Sequence, residues 1–271
     1  MNRRLVVGAA IGLVVLLIFV FALGRNKNSV REKTLNSIQP AALYKEAQEL
    51  QSQDKLVEAV KLYKEIISKA PNFKEIAAVE RSLWDLNIKL LFSPIITEQD
   101  ISYKVAPGDT LGKIAANFNT TVELIKRSNK LSSNLIRPGQ RLKIAAVKFS
   151  IIVDKSQNSL TLKTGDEIFK VYNVATGKFN KTPVGNFTIV EKLTNPDWYK
   201  PGEGIILASD PRNILGSRWL GLSEPQYGIH GGATAETLGN QVTDGCIRMT
   251  NPEVEELFSI LPRGTEVTIV D

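Results

Sequence analysis

The chain has 271 residues, of which 43% are hydrophobic and 23% charged, and its formal net charge is +6. This composition is typical of folded domains and excludes a disordered chain, and the length accommodates two or three small domains. With one cysteine and one histidine, the chain has no intramolecular disulfide and no Cys/His zinc site, and nothing in it implies another metal or an organic cofactor. The lysines are scattered, so we predict a solvated surface and no nucleic-acid partner.

Residues 5–23 form an unbroken apolar run. A helix of this length rises about 28 Å, close to the hydrocarbon thickness of a bilayer. The run therefore predicts a transmembrane signal anchor that crosses the membrane once. A cleaved signal peptide that begins with Arg3 and Arg4 is the alternative, although its apolar core is normally shorter. Basic residues flank both ends of the run, so charge does not fix its orientation.

Residues 38–92 have apolar side chains at helical spacing, and Pro71 is expected to stop the second helix. The arrangement of Ala47, Ala59 and Tyr63 resembles a single tetratricopeptide repeat, followed by a third helix. Such a helical hairpin is either a groove for a protein partner or a spacer, and we favour the spacer because its apolar faces satisfy each other.

Residues 101–147 have the pattern strand, helix, helix, strand. A turn at 108–110 leads into the first helix, and Thr120 with Glu123 predicts a capping box for the second. The segment 103–115, followed by Pro-Gly-Gln at 138–140, resembles a LysM module with its βααβ fold.

The LysM resemblance implies binding of peptidoglycan and related glycans that contain N-acetylglucosamine. It also implies that the glycan groove involves the loop 108–111 and the segment around 135–138. The candidate glycan-binding residues are Gly108, Asp109, Thr110, Leu111 and Ile136.

The sequence of residues 148–271 predicts a mainly β domain. Together with the helical region and the βααβ module before it, this domain makes the whole chain a predicted multidomain α+β protein. Five β-branched or alternating runs predict strands at 149–153, 159–163, 168–174, 187–191 and 265–270. The irregular stretch 193–228 is expected to form a wall or lid of a cleft. Its Trp198 and Tyr199 are candidate substrate contacts, and a core position is the alternative for either one. Asn251 and Pro252 predict the N-cap and the first residue of a helix.

The single histidine, His230, and the single cysteine, Cys246, each lie beside glycine. A thiol needs a nearby base to become a nucleophile at neutral pH, so this pair predicts a cysteine acyl-transfer site. Gly231 and Gly245 leave room for backbone groups around the oxyanion that forms. A lone cysteine or histidine is more often a packing residue. A purely structural cysteine, however, is not expected in a polar loop such as Thr-Asp-Gly-Cys-Ile-Arg.

Several motifs resemble the YkuD-type L,D-transpeptidase catalytic domain of bacterial peptidoglycan enzymes. They are Thr-Pro-Val-Gly-Asn-Phe at 182–187, His-Gly-Gly at 230–232 and Thr-Asp-Gly-Cys-Ile-Arg-Met at 243–249. Asp244 departs from this family, in which many members have His, Asn, Lys or Ser before the Gly-Cys pair. A carboxylate at this position tends to raise the pKa of the thiol.

The resemblance implies a mechanism and a location. His230 takes the thiol proton, and Cys246 attacks the L,D peptide bond of a stem tetrapeptide to give a thioester. A Gly231 or Gly232 carbonyl orients the imidazole, and the N–H groups of Gly245 and Cys246 bind the oxyanion. The enzyme is expected in the bacterial cell envelope, with its catalytic body outside the cytoplasmic membrane.

Two further residues are assigned to the site, and three reactions are left open. Arg248 either holds a substrate carboxylate or forms a structural salt bridge, and Thr243 is a hydrogen-bond partner within the site. Transfer to a stem amine gives 3→3 cross-links, transfer to a protein amine attaches that protein, and transfer to water makes the enzyme an L,D-carboxypeptidase. The alternative from another class is a wall-binding anchor without catalysis.

Overall fold

A computed structural model describes residues 39–200 and 202–271. The predicted membrane anchor at 5–23 lies outside these residues. Within them, no helix combines the length and the apolar character that a bilayer crossing requires. The chain divides into two compact units, with the boundary between Glu80 and Arg81.

The first unit is helical, as the sequence predicts. Its helices, the third of which crosses the unit boundary, are α1 (Pro40–Ser52), α2 (Leu56–Lys69) and α3 (Ile76–Leu91). Ala47, Ala59 and Tyr63 are fully buried between α1 and α2, and the Tyr63 hydroxyl donates to Gln51 Oε1 at 3.0 Å. Helix α2 ends two residues before Pro71, which confirms the predicted stop. The resemblance to a tetratricopeptide repeat stays a prediction.

After the end of α3, the second unit continues with the predicted order of strand, helix, helix, strand. The elements are β1 (Asp100–Lys104), α4 (Leu111–Asn117), α5 (Val122–Ser128) and β2 (Arg141–Ala145). Strands β1 and β2 pair antiparallel. The predicted capping box at Thr120 was wrong by one residue, because the Thr120 N–H closes the preceding helix on Ala115. Thr121 caps α5 instead, accepting from the Leu124 N–H at 2.8 Å.

The rest of this unit is mainly β. The strands are β3 (Phe149–Asp154), β4 (Ser159–Thr164), β5 (Glu167–Asn173), β6 (Thr176–Gly177), β7 (Gly185–Thr194), β8 (Trp198–Lys200), β9 (Gly204–Ile206), β10 (Arg218–Leu222), β11 (Gly228–His230), β12 (Gln241–Thr243), β13 (Ile247–Arg248) and β14 (Glu266–Val270), with a 3₁₀ turn at Lys178–Asn180 and a helix α6 (Asn251–Ile260). The five strands predicted from the sequence are β3, β4, β5, β7 and β14, and all five are confirmed.

Eight of these strands form one sheet in the order β13-β11-β10-β7-β14-β3-β4-β5. Its alternating side chains build the core, as in β3, where every second residue is buried. Val254, Leu257 and Phe258 of α6 belong to this core. Strand β13, which follows Cys246 directly, lies at the edge of the sheet beside β11. The topology therefore places the loop 244–246, which carries the predicted nucleophile Cys246 and is called the nucleophile loop below, next to the strand that ends at His230.

Helix α6 begins one residue differently from the prediction. Thr250 is the N-cap, and its side chain forms a capping box with Glu253. The predicted N-cap, Asn251, was therefore wrong, because the hydroxyl of Thr250 already binds the Glu253 N–H. Asn251 is the first helical residue, and its side chain does not cap this helix.

Helices α5 and α6 attach the βααβ module to the large sheet within the second unit. Thr121 Oγ1 donates to the Ser259 carbonyl, and Arg127 Nη1 donates to the Ser259 hydroxyl at 3.1 Å. The Arg127 guanidinium also lies 3.4 Å from the centre of the Phe92 ring. The module is thus fastened to the helix that starts just after the nucleophile loop.

Candidate active site

Strand pairing brings the segments that carry the single histidine and the single cysteine to one edge of the sheet. Strands β11 and β13 run parallel, with His230 opposite Arg248. Cys246 directly precedes Ile247, the first residue of β13 and the partner of Ile229 in this pairing. The backbone of Gly228, two residues before His230, forms a hydrogen bond with the thiol of Cys246. The predicted base and nucleophile therefore share one edge of the sheet.

The imidazole of His230 is 1% exposed and held on two sides. Its Nδ1 lies 2.8 Å from the carbonyl oxygen of Gly231, and the Trp219 ring stacks on it with 6.0 Å between centroids. A carbonyl oxygen accepts and never donates, so Nδ1 carries the proton and Nε2 is the basic nitrogen.

Burial is also the main reason that His230 is neutral. Burial and the charge of Arg248 lower the pKa of His230 to about 4, against the opposing effect of the Gly231 and Leu215 carbonyls. At neutral pH the imidazole is therefore uncharged and able to accept a proton.

Cys246 is a protonated thiol in this resting arrangement. Burial raises its pKa, while the hydrogen bond from Gly228 and the charge of Arg248 lower it. Asp244 raises it further as the smallest contribution. The thiol donates to the carbonyl oxygen of Gln226 at 3.6 Å. A thiol with a raised pKa needs a base before it reacts, which His230 can supply.

Two threonine hydroxyls fix the backbone around Cys246. Thr243 Oγ1 donates to the Cys246 carbonyl at 2.7 Å and accepts from the Gly245 N–H at 3.2 Å. Thr182 Oγ1 donates to the Gly245 carbonyl at 2.8 Å and accepts from the Gly177 N–H at 2.8 Å. Thr243 was predicted as a site residue. The role of Thr182 was missed, although it lies in the Thr-Pro-Val-Gly-Asn-Phe motif.

Gly245 cannot be replaced without distorting this loop. Its φ of +134° lies in the region that favours glycine. A Cβ on it would lie 2.6 Å from Cε1 of Tyr227. The sequence prediction gave Gly245 a place at the oxyanion, and the structure adds a steric reason for glycine here.

Arg248 is half-buried and central to the electrostatics of the site. Its charge acts on both His230 and Cys246, and its backbone N–H and carbonyl both pair with Ala175 at 2.8 Å. Within the part of the chain that the structure describes, its buried Nε has no hydrogen-bond partner.

Asp244 is an exposed residue held by two lysines. Its carboxylate lies 2.9 Å from Lys178 Nζ and 3.6 Å from Lys181 Nζ. The hydrogen bond with Lys178 is the main cause of its lowered pKa. Because the lysines neutralise the carboxylate, its effect on the thiol is small.

Trp198 and Tyr199 lie in a hairpin of β8 and β9. Trp198 is half-buried opposite Ile206, whereas the Tyr199 side chain is 72% exposed. Asn213 connects this hairpin with the segment that precedes His230. Its side chain donates to the Ile206 carbonyl at 3.3 Å and accepts from the Leu215 N–H at 2.9 Å. Sequence reasoning assigned no role to this asparagine.

The predicted glycan loop is held by its own hydrogen bonds. Asp109 accepts from the Ala106 N–H and from the Tyr103 hydroxyl, both at 2.8 Å, which lowers the pKa of Asp109. Thr110 caps α4, with Gly108 at a φ of +85° before it.

The predicted apolar members of the glycan site differ in exposure. Leu111 is buried in the module core, and Ile136 packs against that core from a half-buried position. The adjacent Leu135 is 73% exposed. Leu135, which lies in the segment predicted to line the groove, therefore offers the apolar surface next to Ile136. In the described ranges, no group of three His, Cys, Asp or Glu side chains is placed to hold a metal.

Comparison with known proteins matches both modules. Residues 148–269 match the L,D-transpeptidase catalytic domain (YkuD), and residues 103–145 match the LysM domain. A candidate L,D-transpeptidase named YkuD in Bacillus licheniformis is 36% identical over 177 residues, which are 62% of this chain and 98% of that protein. Its Bacillus subtilis namesake is 34% identical over 176 residues, with the same coverage. A second candidate L,D-transpeptidase of Bacillus subtilis, YqjB, is 41% identical over 127 residues, or 45% of this chain and 70% of that protein.

Proposed function

Because the chain belongs to the YkuD-type L,D-transpeptidases and carries a LysM domain, we propose that it transfers peptidoglycan stem peptides through a thioester on Cys246. The observation that supports this proposal is the parallel pairing of β11 with β13, in which His230 lies opposite Arg248 and Cys246 directly precedes the partner of Ile229. The chain has no other cysteine or histidine to take these two roles.

Acylation begins with proton transfer. Nε2 of the neutral His230 takes the proton of the Cys246 thiol, and the sulfur attacks the carbonyl carbon of the L,D peptide bond in a stem tetrapeptide. The carbon–nitrogen bond then breaks, the imidazolium returns the proton to the departing amine of the D-amino acid, and a thioester remains. The Gly231 carbonyl keeps the ring oriented throughout, as a triad carboxylate does elsewhere.

The oxyanion is assigned to the N–H of Cys246. The Gly245 N–H, the other predicted donor, already binds the hydroxyl of Thr243 at 3.2 Å. Gly245 contributes its backbone conformation instead. A single donor of this kind typically lowers the barrier by about 3 kcal/mol.

Arg248 is assigned to a carboxylate of the stem peptide. Its buried Nε has no partner in the described chain, and an unpaired buried donor is unfavourable until an acceptor arrives. A guanidinium binds a carboxylate with two parallel hydrogen bonds, which also fixes the orientation of the peptide.

The acceptor that resolves the thioester decides the product. A side-chain amine of a neighbouring stem gives a 3→3 cross-link, which we propose as the main reaction, and a protein amine gives an attached protein. Water gives carboxypeptidase activity on the same residues. The LysM domain retains the enzyme on glycan strands, and residues 5–23 anchor it with the catalytic body outside the cytoplasmic membrane.

Mass spectrometry tests the reaction directly. The full chain in detergent is incubated with a disaccharide-tetrapeptide, beside Cys246→Ala as the inactive control. We expect an acyl adduct on the wild type, loss of the terminal D-residue and a 3→3 dimer, all absent from the variant. Loss of the D-residue without a dimer would identify the hydrolase. An unchanged substrate together with binding to purified wall would identify the anchor and refute the catalytic assignment.

A further inference from the structure

Asn251, at the start of α6, binds two other backbone segments through its side chain. Its Oδ1 accepts from the Ser217 N–H at 3.0 Å and from the Gly232 N–H at 3.1 Å. A Cβ added at Gly216 or at Gly231 would collide with this same oxygen. The amide oxygen is thus enclosed by backbone, although Asn251 as a whole is exposed.

Helix capping does not explain this placement. Thr250 and Glu253 already form a complete capping box at the start of α6. The side chain of Asn251 is therefore free to bind the segment that follows His230, instead of its own helix.

One peptide group connects Asn251 with His230. The N–H of Gly232 donates to Asn251, and the carbonyl of Gly231, on the same peptide group, lies 2.8 Å from Nδ1 of His230. Hydrogen bonds at the two ends of an amide polarise each other, so a partner on the N–H makes the carbonyl a stronger acceptor. The hydrogen bond to Asn251 therefore strengthens the hydrogen bond between the Gly231 carbonyl and the imidazole of His230.

We propose that Asn251 is a positioning residue for the reaction, which orients and polarises the Gly231–Gly232 peptide so that its carbonyl holds His230 in place. This inference rests on the proposed role of His230 as the base. Asn251 then does through a peptide group what a side-chain carboxylate does directly in a catalytic triad. Since Asn251 follows Cys246 closely in the chain, the same segment fixes both the nucleophile and its base.

Two substitutions separate this role from a structural one. Asn251→Ala removes the acceptor, whereas Asn251→Asp keeps it, adds a negative charge, and suits the first turn of a helix. The matched control is Asn129→Ala in the LysM domain, because Asn129 also bridges backbone groups, accepting from the Lys143 N–H at 2.7 Å and donating to the Lys143 carbonyl at 2.8 Å.

The readout is the rate at which iodoacetamide alkylates Cys246 in the full chain as a function of pH, with melting temperature and turnover measured beside it. For Asn251→Ala we expect alkylation at neutral pH to slow by about tenfold, the scale seen for outer partners of functional histidines. The midpoint moves to higher pH, and kcat falls while KM changes little. Asn251→Asp should restore the rate, because a carboxylate oxygen also accepts from the Gly232 N–H and stabilises the imidazolium that forms as the thiol reacts.

Asn129→Ala should lower the melting temperature and leave the alkylation profile unchanged. The inference is overturned if Asn251→Ala keeps the wild-type profile, or if Asn251→Asp fails to restore the rate although its melting temperature is that of the wild type. Alkylation needs no peptidoglycan, so a wild type that lacks turnover but shows the expected shifts would refute the proposed function and leave this inference standing.

Discussion

At the scale of single residues, Arg248 has opposite consequences for the two members of the proposed pair. Its charge lowers the pKa of Cys246, which favours the thiolate, and also lowers the pKa of His230, which disfavours the imidazolium. Burial lowers the pKa of His230 further, whereas it raises the pKa of Cys246. The resting site therefore holds a thiol beside a neutral imidazole, and charge separation occurs only when a substrate is attacked.

The buried, neutral His230 makes the fold sensitive to acid. Its pKa is about 4 in the folded chain, against an ordinary value of 6.5, so between these values the unfolded chain binds a proton that the folded chain does not. Stability therefore falls as the pH drops from 6.5 to 4, by about 3 kcal/mol in total. We expect urea unfolding of the wild type to show this additional loss relative to His230→Gln. Because the chain has no second histidine, equal pH dependence in the two proteins would contradict a buried, uncharged imidazole.

At the scale of secondary structure, the sequence was informative where an element carries a local pattern. Strands such as β3 and β14 were predictable because their side chains alternate over five or six residues. Strands β11 and β13 have three and two residues and exist through pairing with distant segments, so they carry no local pattern. The pair His230 and Cys246 was predictable from chemistry, but Asn251 and Thr182 were not, because their hydrogen bonds are to backbone far away in the chain.

Thr182 tests how much the nucleophile loop depends on such a long-range bond. Thr182→Val keeps the shape but leaves the Gly177 N–H and the Gly245 carbonyl, both buried, without this partner. We expect a loss of about 1–3 kcal/mol in unfolding free energy, together with a lower kcat because the loop that carries Cys246 loosens. Thr182→Ser, which retains the hydroxyl, should remain close to the wild type in both measurements. If valine and serine variants turn over equally well, the hydroxyl does not support the loop.

At the scale of the whole molecule, the LysM and catalytic domains were each predictable from their own motifs, but their packing was not. The contact surface between them carries no motif, since its hydrogen bonds join Thr121 and Arg127 of the LysM domain to the carbonyl and the hydroxyl of Ser259. Within the catalytic domain, Lys192 holds the end of α6 to β7, because its Nζ donates to the Phe258 and Leu261 carbonyls, both at 2.7 Å. Burial lowers the pKa of Lys192 to about 8, and the negative charge of Glu123 in the LysM domain opposes this effect.

This packing predicts that a change inside the LysM domain loosens the helix behind the nucleophile. Thr121→Val removes both the cap of α5 and the hydrogen bond to the Ser259 carbonyl, whereas Thr110→Val removes only the cap of α4. Loss of a cap costs about 1 kcal/mol, and an unpaired buried carbonyl adds about 1–3 kcal/mol. We expect hydrogen exchange in α6 to accelerate in Thr121→Val, with the effect of Thr110→Val confined to the region of α4. Unchanged protection of α6 in Thr121→Val would mean that the two domains open independently, and the LysM domain would then tether the enzyme without bracing its site.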